Sequence, residues 1–196
     1  MDQKKQNKSK VRKYKKYKVE SQLGLAGKDA KTFLVTDKFG YEYALKQYKK
    51  QKSSKKILQE VAFQRRCSDA FLSPKIIDVN LEEKFIVMEK MDTHLLDEIN
   101  QNGGIPLQRQ KELVALLKKL DKIGVFHGDA NLLNLMIKNN RLYIIDFGMA
   151  KEINEKLIFS MKTNTPNLIF MILAVIANLK SANVKSSSYA FLQSFV

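Results

Sequence analysis

An α+β fold is what this sequence predicts, with strands gathered in its front half and helices in its back half. Three observations carry that expectation. Short β-prone runs separated by turn residues fill the stretch from Val19 to Met91, interrupted by one stretch of helical spacing. After Met91 the apolar residues recur at helical intervals. A length of 196 residues and an apolar content of 44% allow one real core and leave little room for two independent domains.

In order along the chain, KTFLVTD and YEYALKQY read as two strands joined through the turn Lys38-Phe39-Gly40. In the second, Tyr41, Tyr43 and Leu45 alternate with Glu42, Ala44 and Lys46, so its two faces meet different surroundings. Ser53-Ser54 starts a helix over KKILQEVAFQRRC, where Ile57 with Val61 and Leu58 with Ala62 stand four apart. IIDVN and KFIVMEKM follow Pro74 as two further strands. HLLDEI is a short amphipathic helix broken by Gly103-Gly104 and Pro106. Leu107 to Ile123 is the clearest helix, with Leu113, Leu116, Leu117 and Leu120 on one face and Gly124 closing it. An irregular segment runs to about Thr165, and an apolar helix follows Pro166. No internal repeat is apparent.

The formal charge is +15, and nine Lys/Arg against one Asp between Met1 and Lys18 supply about half of the excess. That tail, read as flexible over residues 1–18, suits an acidic surface or a nucleic acid, and equally a solvated arm. The one cysteine, Cys67, cannot form an internal disulfide, and no signal peptide is apparent. LIFMILAVIA, Leu168 to Ala177, is too short to span a bilayer and reads as a buried helix. The expectation is an intracellular, cytoplasmic protein with no membrane span, which includes a host's cytoplasm for a viral or secreted one.

The stretch FHGDANLLNLMIKNNRLYIIDFGMA, Phe126 to Ala150, sets His127, Asp129, Asn134 and Asp146 among Leu, Ile, Met and Phe. An unpaired carboxylate is costly to bury, so such residues face a cleft, a metal or a phosphate. His127-Gly128-Asp129 with Asn134 five residues after the Asp, then Asp146-Phe147-Gly148 twelve residues on, resembles the catalytic loop and the metal-binding DFG motif of the protein kinase-like superfamily. The resemblance runs from about residue 20 to 177. It implies a two-lobed fold, with a small lobe over 19–89 and a truncated helical lobe over 90–196. It implies ATP and Mg²⁺ as cofactors and a protein substrate. Residue by residue, it makes Asp129 the base and gives Asn134 and Asp146 to Mg²⁺. Lys46, in Ala44-Leu45-Lys46, holds the phosphates, and Glu60 on the next helix pairs with it. Met88, Glu89 and Met91 line the adenine slot with Ala44 and Met136, and Gly24 and Gly27 cover the phosphates. Phosphoryl transfer asks the protein for alignment and charge neutralisation, which hard oxygen ligands and one ammonium supply. His127 would prop the catalytic loop, and His94 reads as a helix-start residue.

Departures from the family pattern narrow the type. LGLAGKDAKTFL lacks the G-x-G-x-x-G spacing, with Ala30 in the third place. Gln64 stands where an apolar residue is usual, leaving Phe63 or Cys67 to do that packing. Gly128 replaces the Arg that reads an activation-segment phosphate in regulated kinases, so activity independent of that switch is expected. Asn131 replaces a usual Lys, there is no A-P-E, and about fifty residues follow the DFG. HGD is similar to compact kinases of the RIO, KEOPS, bacterial-effector and large-virus types. The expectation is a Ser/Thr protein kinase. A small-molecule phosphotransferase shares the HGD loop but usually continues its last motif as D-W/F-E. A kinase-like binding module for a protein or RNA partner would have no need of Lys46, Asp129, Asn134 and Asp146 together.

Overall fold

A computed structural model describes residues 13–14, 16–129, 132–160, 163–178 and 190–195. Its front half is a six-stranded antiparallel sheet. The strands are β1 (Lys13–Tyr14), β2 (Tyr17–Leu23), β3 (Ala30–Thr36), β4 (Glu42–Tyr48), β5 (Ile76–Asn80) and β6 (Phe85–Glu89), in the order β1-β2-β3-β4-β6-β5. Helix α1 (Ser54–Asp69) connects β4 to β5. Ser53 caps it, its side chain accepting from the Lys56 N–H at 3.3 Å, as the serine pair implies.

The back half carries β7 (Thr93–His94), α2 (Leu95–Asn102), α3 (Leu107–Lys122), β8 (Val125–Phe126), β9 (Leu135–Lys138), β10 (Arg141–Ile144), β11 (Lys151–Glu152), α4 (Glu155–Phe159), α5 (Asn164–Asn178) and α6 (Ala190–Gln193). Strands β10-β9-β7 form one small sheet and β11-β8 another, both antiparallel. The α+β class is therefore the observed one.

The alternation read in β4 has a clear outcome. Leu45 packs with Tyr14, Tyr17, Phe33 and Phe85 on one face, while Ala44 packs with Ile57, Val61 and Met88 beneath α1 on the other. Both faces are covered, so β4 is buried on each side. The third core holds α3, α5, β9, β10 and the inner end of α1, through Leu113, Leu117, Ile144, Phe63 and Cys67 among others. Burial pushes the Cys67 thiol up to about 12.

Three expectations need correction. The basic arm expected to be flexible over 1–18 is part of the sheet from Lys13 onward. Tyr14 and Tyr17 are 6% and 3% exposed, with Tyr14 set edge-on to Phe85 at 5.5 Å. Two aromatics among lysines give a short edge hairpin one buried face, which a count of charges does not register. The remainder of that arm lies outside the described residues. The segment expected to be irregular up to Thr165 contains α4, capped by Asn154, and α5 already begins at Asn164. Pro166 sits in the first turn of α5, where its missing N–H costs nothing. Finally, the part of LIFMILAVIA from Leu168 to Ile172 is amphipathic in place: Leu168, Ile169 and Ile172 are buried, while Phe170 and Met171 are 61% and 43% exposed. Among the described residues no helix is long and apolar enough to cross a membrane.

Candidate active site

Strand β4 delivers Lys46 toward α1, and the helix presents Glu60 from its inward face. The Lys46 ammonium donates to Glu60 Oε1 at 2.6 Å and to Asp146 Oδ1 at 2.8 Å. Glu60 is buried and Lys46 nearly so. The ammonium is held above the ordinary lysine range: burial opposes its charge, but the two carboxylates outweigh burial. Asp146 shows the converse. Burial works against its ionised form, yet Lys46 keeps its carboxyl below the usual range. The same ammonium lies 5.5 Å from the Tyr48 ring, and burial with the Glu60 charge raises the Tyr48 hydroxyl.

Asp146 adopts a left-handed backbone at φ 67°, a conformation aspartate tolerates better than most residues. Its Oδ1 also accepts from the Gly148 N–H at 3.3 Å, which fixes the turn Phe147–Met149. That turn sends Phe147 down into the core holding Phe63 and Cys67, where it is 1% exposed and stands edge-on to His127 at 5.0 Å. Gln64 does not join this packing. It is buried, but its amide donates to the Pro74 carbonyl at 3.0 Å and lies 3.5 Å from Met88 Sδ. Polar satisfaction by a backbone carbonyl is what lets a glutamine occupy that place.

In the loop before β9, Asn134 donates from Nδ2 to both the Asp129 carbonyl and Asp129 Oδ2, each at 3.1 Å. His127 is buried and spans the loop: Nδ1 lies 3.1 Å from the Asp129 carbonyl and Nε2 lies 3.0 Å from the Ile145 carbonyl. Ile145 N–H in turn donates to the Asn134 carbonyl at 2.9 Å. One imidazole and one backbone bond thereby tie the Asp129 loop to the residue beside Asp146. Burial lowers the His127 pKa. His94 stands at the start of α2 as expected, half-buried, its N–H donating to Asp97 Oδ2 at 3.1 Å.

Of the expected adenine-side residues, the structure joins Ala44 and Met88. Ala44 and Met88 are cross-strand partners and share an apolar cluster with which Leu23 packs. Met91 is buried just beyond β6, and Met136 is half-buried on β9, two residues after Asn134. Glu89 turns aside: its carboxylate accepts from the Lys75 N–H at 2.9 Å. Gly24 and Gly27 lie in the β2–β3 loop, where Gly24 takes φ 65° with open space around it. Ala30 has left the loop to begin β3. Asn131 lies outside the described residues.

Two contributors carried no signal in the sequence. Asn164, first residue of α5, accepts the His127 N–H at 2.7 Å and donates to the Val125 carbonyl at 2.6 Å and to Asp121 Oδ1 at 2.5 Å. It anchors the start of the catalytic loop. Arg66 on α1 makes a two-pronged pair with Glu152 on β11, both bonds at 2.7 Å.

The donor set can be tested for a metal. Both hydrogen bonds of the Asn134 side chain leave from Nδ2, and both of those to Asp146 end on Oδ1. Asn134 Oδ1 and Asp146 Oδ2 therefore have no hydrogen bond among the described residues, and 43% of the Asp146 side chain is exposed. One carboxylate and one amide oxygen fit Mg²⁺, which takes few protein ligands and completes its shell with water and phosphate.

Residues 17–171 match the family model for the protein kinase domain. The chain belongs to the protein kinase family. A probable serine/threonine-protein kinase, a BUD32 homolog of Archaeoglobus fulgidus, is 32% identical over 40% of this chain and 36% of its own length. The KEOPS complex subunit Bud32 of Pyrococcus abyssi is 23% identical over 60% of this chain and 55% of its own. The probable serine/threonine-protein kinase YbdM of Bacillus subtilis is 29% identical over 70% and 58%. The chain thus spans about a third to three fifths of the length of these relatives.

Proposed function

We propose that this kinase-family chain is an ATP- and Mg²⁺-dependent protein kinase that transfers the γ-phosphoryl group to a serine or threonine hydroxyl. The observation that carries the reading is the ion triad of Lys46 with Glu60 and Asp146, together with the Asn134–Asp129 pair, which the Ile145 N–H ties to the strand leading into Asp146. Bound Mg²⁺ would offset the charge of the phosphates and of the departing ADP. The protein's own groups do the rest. Lys46, aimed by Glu60, holds the α- and β-phosphates. Asp146 Oδ2 and Asn134 Oδ1 hold the metal. Asp129, oriented by the Asn134 amide, aligns the acceptor hydroxyl and takes its proton. Ala44, Met88, Met91 and Met136 enclose the adenine, and the loop of Gly24 and Gly27 covers the phosphates.

Regulation by an activation-segment phosphate has no place in this reading. Gly128 offers no cation to such a phosphate, and the Arg66–Glu152 pair already joins α1 to the segment after the DFG turn. A location inside the cell suits the single buried thiol.

The reading is tested by autophosphorylation and lysate phosphorylation, followed by mass spectrometry, comparing wild type with Asp129→Ala. Phosphosites that appear with wild type and vanish with the variant support it, and identical phosphosite patterns reject it. Small alcohol acceptors in the same assay separate protein from small-molecule phosphotransfer. A second reading draws on the KEOPS subunit among the relatives and on the +15 charge. In it the chain works as a nucleotide-binding partner in a tRNA-modification assembly. RNA binding that survives Lys46→Met and falls steeply with salt would favour that role.

A further inference from the structure

Two lysines, not one, point their ammonium groups into the phosphate end of this site. Lys52 lies in the β4–α1 connection, yet its side chain is only 11% exposed. Its Nζ stands 5.9 Å from the centre of the Tyr48 ring, and Lys46 Nζ is 5.5 Å from the same centre, so both cations lie near one aromatic ring. A β-carbon built on Gly148 would lie 3.3 Å from Asp146 Oδ1, 3.3 Å from Glu60 Oε2 and 3.8 Å from Lys52 Nζ. The second ammonium is therefore beside the DFG turn and the ion triad, not out on the surface.

What holds it there is weak. Its carboxylate partner is Asp29, at 3.2 Å, in the loop between β2 and β3, and the Asp29 side chain is 59% exposed. Lys46, in contrast, is committed to two carboxylates. The Asp29 backbone is itself tied to the end of β4, its carbonyl accepting from the Lys49 N–H at 2.9 Å. Lys52 thus bridges from the loop expected to cover the phosphates to the turn that presents Asp146. Behind it opens a groove of about 560 Å³ lined by Lys28, Lys49 and Lys56 with Asp29 and Ser53, a surface whose charge favours polyanions.

We infer that Lys52 is a second phosphate-binding residue, parked on Asp29 and transferred to the terminal phosphate of a nucleoside triphosphate when one enters. This rests on the kinase reading above. A tether to an exposed carboxylate is easily exchanged, because such a pair is screened and contributes little. A charge-assisted bond to a phosphate oxygen is stronger and geometrically fixed. The exchange couples nucleotide arrival to loss of the Asp29 side-chain tether, in a loop that lacks the usual three glycines.

The test is calorimetric binding of Mg-ATP, Mg-ADP and AMP to wild type, Lys52→Gln, Lys52→Arg, Asp29→Asn and Lys46→Met. Lys52→Gln should weaken ATP by about tenfold or more and leave AMP unchanged, with Lys52→Arg recovering part of the loss. Asp29→Asn should leave ATP affinity unchanged or raise it, since it frees Lys52. Equal weakening by Lys52→Gln and Asp29→Asn would make the pair a structural latch and overturn the assignment. So would unchanged ATP affinity in Lys52→Gln while Lys46→Met loses it, and that outcome would leave the kinase reading standing. Failure of the wild type to bind Mg-ATP would instead bring down both.

Discussion

Gly128 gives the sharpest test of how the catalytic loop is built. It sits at φ 77°, and a β-carbon there would stand 2.5 Å from the Met149 carbonyl oxygen and 3.2 Å from its carbon. The backbone conformation alone costs a non-glycine residue about 1–2 kcal/mol. The contact adds more, because a carbon and a carbonyl oxygen ordinarily rest at about 3.3–3.6 Å, so one segment must retreat by roughly 1 Å. Overpacking of that kind costs about 1–3 kcal/mol. Gly128→Ala should therefore destabilise by about 2–5 kcal/mol, which lowers a urea midpoint by about 0.7 M or more at the slope usual for small domains. Because Met149 closes the turn that positions Asp146, turnover should fall as well, by about a hundredfold for an ångström of misplacement. Gly128→Arg carries the same β-carbon and should do no better. The control is Gly40→Ala, at φ 85° with nothing within 4 Å, which should cost only the backbone part. Equal midpoints for the Gly128 and Gly40 variants would refute the close approach of the two segments.

Further expectations rest on the same geometry. Glu60→Gln removes the buried partner of Lys46 and should cost up to about 3–5 kcal/mol of stability, together with most of the turnover; a variant with wild-type kinetics would contradict the triad. Mg-ATP at a hundredfold excess over its Kd should stabilise the wild type by about 2.7 kcal/mol in thermal shift, and Asp146→Asn should lose that gain. The pH dependence has a definite sign. Asp146 is held low, so its contribution is present above the ordinary carboxylate range and lost only as pH falls through its depressed value. Lys46 is held high, so its share persists until pH rises past its raised value. His127 is the group that acts near neutrality: held low by burial, it makes stability decline as pH falls below about 6.5, where the unfolded imidazole takes a proton. Urea midpoints between pH 5 and 8 should show that slope in wild type and not in His127→Gln. Cys67, buried and pushed up to about 12, should resist thiol reagents at pH 8 until denaturant is added.

Local pattern carried much of the fold. The serine pair before α1, the leucine face of α3 and the alternation in β4 are signals of short range, and each has its counterpart in the structure. What escaped depended on distant partners. Tyr14 and Tyr17 look like tail residues until Phe33 and Phe85 are placed against them. Asn164 gave no sign of its role because its partners are Asp121, Val125 and His127, about forty positions away. For the site, motif spacing singled out Lys46, Glu60, Asn134 and Asp146; in the structure Lys46 contacts Glu60 and Asp146, and Asn134 contacts Asp129. Glu89 shows the limit of position alone: it stands on the expected strand, yet its carboxylate is engaged by Lys75. Lys52 was lost among many lysines, since nothing local separates a buried ammonium from a solvated one.

The remaining question is what keeps the parts of such a compact arrangement aligned. Four connections bear on it. Phe147 lies in the core beneath α1, which commits the DFG turn to one side of the helix. His127 bridges the Asp129 and Ile145 carbonyls. Asn164 holds the His127 backbone from α5. Arg66 and Glu152 close the outer end of α1 against β11. The first three are buried, so they are the ones with the strength to define a single arrangement; the last is exposed on both sides and contributes under about 1 kcal/mol. Loss of the Arg66 pair should therefore loosen the helix without releasing the turn, whereas loss of Asn164 should displace the catalytic loop itself. On this account alignment comes from the core outward, and a surface charge added to the segment after the DFG would have little left to organise.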